Sequence, residues 1–170
     1  MNIFILDEDP VIAARMLCDR HIPKMIVESA QMLSTAHRLL DGSPTKRRSR
    51  SGKTIQTYYE FKDMRDDLYY TAVHKHHPCT TWTMASIENY NWHYGHFAEM
   101  SKEFTFRRQK KHATWEKIGM ILAAPPINIP KIKRTEFAQA MSHYPECKVE
   151  GDAVQALSLI HISEPTRPRL

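Results

Sequence analysis

From Pro23 to Leu40 the apolar side chains return every three to four residues, a period that admits little besides an amphipathic helix. Ile22, Ile26, Leu33, Ala36 and Leu40 fall on one side of it, and Lys24, Glu28, Gln31, Thr35 and Arg38 on the other. Pro23 suits a first turn, and Asp41-Gly42 ends the run. The punctuation elsewhere follows from that anchor. Asp9-Pro10 reads as an N-cap and first helical residue, opening a helix through about Cys18. Asn2 to Leu6 reads as a short buried strand or extended start. Ser43 to Lys53, with Ser-Pro, Ser-Gly and five basic residues, reads as an exposed loop or hairpin tip. Thr54 to Phe61 alternates and is rich in Tyr and Thr, the pattern of a strand. His77-Pro78 precedes the longest predicted helix, Cys79 to Arg107, and a shorter one runs from Trp115 to Ala123. Pro130 and Pro145 then mark an irregular segment with one helical turn at Phe137 to Met141. The fold class is mainly α: a single helical domain with a short N-terminal strand and a β-hairpin.

The last fourteen residues depart from this grammar. Leu157 to Arg167 resembles a transposon-end sequencing adaptor translated in frame, and Pro165 and Pro168 interrupt both helix and strand patterns. The expectation is a natural domain at 1–156, cut short at its C-terminus in a metagenomic reading frame, with 157–170 non-native and dispensable for stability. Without that tail the charge is 22 Lys+Arg against 18 Asp+Glu, a basic bias that favours anionic partners. Cys18, Cys79 and Cys147 are odd in number and far apart, which favours a reduced, cytoplasmic setting. No apolar run approaches the ~18 residues of a membrane span, and Asn2 to Leu6 is too short for a signal peptide.

Chemistry can sit in three places. His21, Lys24, Glu28, Gln31 and Thr35 share roughly 80° of arc at 100° per residue, and a carboxylate beside lysine and histidine suits acid–base work. An ordinary solvated face with a Lys24–Glu28 pair explains the same stripe. On the long helix Trp82, Ser86, Asn89, His93, Phe97, Met100 and Phe104 form the inward face. Its three polar members need partners, in a pocket or in a structural network. Basic clusters come third: Lys46, Arg47, Arg48, Arg50 and Lys53, then Arg107, Arg108, Lys110, Lys111 and His112. Tyr58, Tyr59, Tyr69 and Tyr70 lie between them and can stack on unpaired bases, as the cations neutralise phosphates. His74, His76, His77 and Cys79 match no standard zinc spacing, so a cap for the following helix ranks above a metal site. No cofactor is indicated.

Several blocks carry a resemblance. Asn2-Ile3-Phe4, Asp9-Pro10, Cys18-Asp19-Arg20-His21, Lys24-Met25 and Glu28-Ser29-Ala30-Gln31 resemble the opening of a small, largely uncharacterised family of phage proteins. His77-Pro78, Trp82, Asn89-Tyr90 and Trp92 resemble its middle, and Glu146-Cys147-Lys148 and Gly151-Asp152-Ala153-Val154 its end. The resemblance implies a phage setting, in the cytoplasm of an infected bacterium. More distantly, the order of elements is similar to phage pyrimidine-dimer DNA glycosylases, which attack the sugar with an N-terminal amine beside a glutamate. That likeness assigns the glutamate's role to Glu28.

The leading expectation is a phage enzyme acting on DNA or nucleotides, with the N-glycosidic bond as the target the likeness suggests. Glu28 would be acid or base, Lys24 and His21 would tune it, and Asn89 and His93 would face it. The alternative is a non-catalytic nucleic-acid-binding or phage accessory protein. A shared cavity for Glu28 and His93 favours the first; their separation favours the second.

Overall fold

The computed structural model describes residues 2–49, 51–142 and 144–163, with the backbone alone for 160–163. The fold is mainly α with one β-hairpin. Helix α1 (Pro10–Met16) starts where Asp9 Oδ1 accepts the amides of Val11 and Ile12 at 2.7 and 3.2 Å. Helix α2 (Ile22–Asp41) follows the predicted amphipathic run closely. Strands β1 (Ser43–Arg48) and β2 (Ile55–Glu60) pair antiparallel, with Ser43 opposite Glu60 and Arg48 opposite Ile55. Half of the predicted Ser43–Lys53 loop is therefore strand. A short α3 (Arg65–Leu68) leads to α4 (Pro78–Ala85), α5 (Ile87–Arg108) and, at the end, α6 (Ala153–Ser163).

Helices α2 and α5 form the spine and run in opposite directions. His37, late in α2, meets Tyr90, early in α5, while Arg107 at the end of α5 bonds the Leu17 carbonyl ahead of α2. Between them Ile22, Ile26, Leu33 and Ala36 pack on Tyr90, Phe97, Met100 and Phe104. A second cluster joins Ile3, Ile5 and Ala13 to Trp82 and Trp92, closing the other side of α5. That double coverage explains why Glu99, although charged, is buried against Arg15 and Lys102.

Five predicted elements differ. The single helix Cys79–Arg107 is two helices, because Ser86 takes an extended conformation and caps α5 by accepting the Asn89 amide at 3.0 Å. Serine at such a point offers the backbone an alternative to continuing the helix. Asn2–Leu6 is extended, with Ile3 and Ile5 buried, but joins no ladder among the described residues. The Trp115–Ala123 helix is a π turn (Trp115–Gly119) and a 3-10 turn (Ile121–Ala123). Phe137–Met141 is irregular, and the local turn is at Pro145–Cys147 instead. Finally, α6 crosses the predicted boundary at Ala156. Ala153, Ala156 and Leu157 share one helix face, and Leu157 is 7% exposed against Met141 and Cys147. The remaining tail, 164–170, lies outside the described residues.

Candidate nucleic-acid interface

A hollow of about 480 Å³ opens between the hairpin, α3 and the segment 69–72. Arg38 builds its wall. Its Nε donates to the Tyr70 carbonyl, Nη1 to the Tyr59 carbonyl and Asp66 Oδ1, and Nη2 to the carbonyls of Asp66 and Tyr69, all at 2.6–2.9 Å. All five guanidinium hydrogens are thus spent, four on the backbone carbonyls of Tyr59, Asp66, Tyr69 and Tyr70 and one on the Asp66 carboxylate. Asp66 Oδ1 also accepts the Phe61 amide at 2.9 Å. Burial pushes the Asp66 carboxyl up, but bonds from Arg38 and Phe61 outweigh it and hold it below the usual range. The expected solvated stripe of α2 is therefore buried from Met32 to Arg38.

Around this wall, cations sit over tyrosine rings. Arg47 lies 4.1 Å from the Tyr58 ring centre, Lys117 4.9 Å from Tyr70 and Lys75 5.1 Å from Tyr59. Strand alternation turns Arg47, Tyr58 and Glu60 to the cleft side, and Arg47 pairs with Glu60 at 3.0 Å. Lys46 and Arg48 take the opposite face of the hairpin and are exposed, as is Lys53 in its turn; Arg50 lies outside the described residues.

The second basic cluster is elsewhere. Arg108, Lys110 and Lys111 are exposed at the end of α5, while the hairpin extends from the far end of the 20-residue α2. At 1.5 Å per residue the two clusters are about 30 Å apart along that axis. Arg107 does not belong with them. It donates to the Leu17 and Arg15 carbonyls and to Asp19 and Glu103, all at 2.8–2.9 Å, and so clips α5 to the end of α1.

Glu28 sits at the start of the chain. Its side chain is 14% exposed, accepts the Asn2 amide at 3.1 Å and lies 3.5 Å from Lys24 Nζ. His21 is two turns earlier, about 10 Å along the axis, and stacks on Phe4 at 5.3 Å beside a separate hollow of about 220 Å³. His77, not chosen as a site residue from the sequence, is nearer in effect. Its Nδ1 accepts the Cys79 amide at 3.2 Å and caps α4, and it lines a hollow of about 240 Å³ with Gln139, Met141 and Lys148. Burial lowers its pKa most, and the Glu28 charge opposes that.

Asn89 and His93 do not reach Glu28. Asn89 is wholly buried, donating to the Trp82 carbonyl and Thr135 Oγ1 while accepting the Thr135 amide, so it pins the 130s segment. His93 is also wholly buried and lines no open cavity. Thr83 Oγ1 gives its proton to the Cys79 carbonyl, so it accepts from His93 Nδ1 at 2.8 Å; Nε2 has no partner. Burial lowers His93 to about 3 and the neighbouring His96 to about 4. The inward phase of both residues was legible, but their partners were not, since Thr135 lies 46 residues from Asn89.

No protein-family model, no curated protein and no solved structure matches the chain.

Proposed function

We propose that this protein binds nucleic acid in unpaired form, through the tyrosines and cations of the hairpin and its cleft. The observation that carries this is the pairing of a cation with a tyrosine ring at two places around one opening, Arg47 on Tyr58 and Lys117 on Tyr70, with Lys75 on Tyr59 at the other face of the same strand. Rings supply stacking surface for any base, and neighbouring cations track the phosphates. The separation of His93 from Glu28 supports a binding role over the five-residue catalytic site. Tyr70 supplies the test. Tyr70→Ala weakens binding to a single-stranded oligonucleotide by about 1–3 kcal/mol, the usual loss of one base–aromatic stack, and Tyr70→Phe keeps it. Equal affinity in both variants contradicts the proposal.

A second reading, hydrolysis at the N-glycosidic bond, keeps Glu28 as its acid or base. It is supported by the Asn2 amide bond, which orients a largely enclosed carboxylate beside Lys24. In that reaction the C–N bond breaks as water adds to the sugar carbon, Glu28 takes one proton from the water, and that proton passes to the departing base nitrogen. Glu28→Gln then lowers the rate by roughly two to four decades with little change in melting temperature. A destabilised variant with undiminished activity per folded molecule ends this reading.

A further inference from the structure

We infer that the 480 Å³ cleft is a pocket for one unpaired nucleotide whose base carries an exocyclic amine, an inference that rests on the nucleic-acid reading above. The size lies within the roughly 300–1,000 Å³ range of small-ligand sites. The argument is one of charge placement. Of the charged side chains lining the cleft, Arg38 and Asp66 are consumed by each other and by backbone. That leaves Arg47 and Glu60, paired with each other at 3.0 Å, and the exposed Lys117 and Asp67. A bare anion finds no net positive field there. A molecule with a phosphate at one end and N–H donors at the other matches both signs.

The rings define the middle of such a molecule. Arg47, at stacking distance over Tyr58, and Tyr70 with Lys117 above it offer flat faces for a base. The carboxylates then select among bases. They accept from the amine of cytosine, whereas the carbonyl oxygens of thymine repel them.

Calorimetric titration of the full-length protein tests this at low salt. The ligands are deoxycytidine 5′-monophosphate, thymidine 5′-monophosphate and deoxyribose 5-phosphate. The cytidine nucleotide binds about tenfold tighter than the thymidine one, a step expected for one satisfied base contact, and the sugar phosphate does not bind. Lys117→Ala and Asp67→Asn, both at exposed side chains, each weaken binding about fivefold or more. The exposed Lys131→Ala leaves it unchanged. Equal binding of deoxyribose 5-phosphate, no nucleotide binding at millimolar concentration, or indifference to Lys117→Ala and Asp67→Asn overturns the inference. If oligonucleotides bind and the mononucleotide does not, the cleft assignment fails while the wider reading stands. If only the mononucleotide binds, the reverse holds.

Discussion

Arg38 shows how a polar residue on an amphipathic helix becomes structural. The 3.6-residue period places it opposite Ile26 and Leu33, where solvent is the default expectation. It is instead 4% exposed, because the backbone from Tyr59 to Tyr70 wraps over it and needs donors that no ladder provides. Arg38→Ala would strand four carbonyls and Asp66, so it should cost about 3–5 kcal/mol, the scale of removing one partner from a buried charged network. Urea unfolding measures this as a lower midpoint at unchanged slope. A loss below about 1 kcal/mol would show that the wrapping segment does not depend on it. Asn89 teaches the same lesson: periodicity gives the direction a side chain points but not what meets it there. Glu28 is the reverse case, since its place in the polar stripe was legible but its bond to the Asn2 amide was not.

Among the elements, those with a cap and a full period were legible. Asp9-Pro10 and the run from Ile22 to Asp41 became α1 and α2 nearly as predicted, and the Tyr-rich alternation became β2. The break at Ser86 was hidden because the apolar stripe continues through it. Its cap is testable: Ser86→Ala leaves the Asn89 amide without its acceptor and should cost about 1–2 kcal/mol, read as a lower melting temperature. The segment after Ala156 is a separate case. Its sequence suggests an appended adaptor, yet Ala153, Ala156 and Leu157 present one buried face in α6. On that packing Leu157→Ala should cost about 2–3 kcal/mol. An unchanged melting temperature would instead mark the segment as a passenger that adds nothing to the core.

At the scale of the whole molecule, the spine is built over neutral histidines. Burial lowers His37 to about 4, His93 to about 3 and His96 to about 4. The Tyr90 hydroxyl joins two parts of the spine, lying 2.9 Å from both His37 Nε2 and the Leu122 carbonyl, to which it donates. Each of the three has a folded pKa below the unfolded value of about 6.5, so its contribution is full above that pH and is lost as pH falls. Together they cost about 4 kcal/mol per pH unit between roughly 6 and 4.5. Melting temperature should therefore fall steeply from pH 7 to pH 5; a flat profile would show that these rings gain protons without opening the core. The same architecture leaves basic clusters at two ends of α2, with the tyrosine–cation pairs at the hairpin end and the exposed Phe106 at the other. Nucleic-acid binding should depend on the hairpin end, and salt dependence tests that most directly. For a single-stranded oligonucleotide, log affinity should fall linearly with log salt at about −0.7 per phosphate contact. Replacing Arg47 and Lys117 together with Ala should flatten the slope by about 1.4. No binding at low salt, or an unchanged slope in the double variant, would contradict the account.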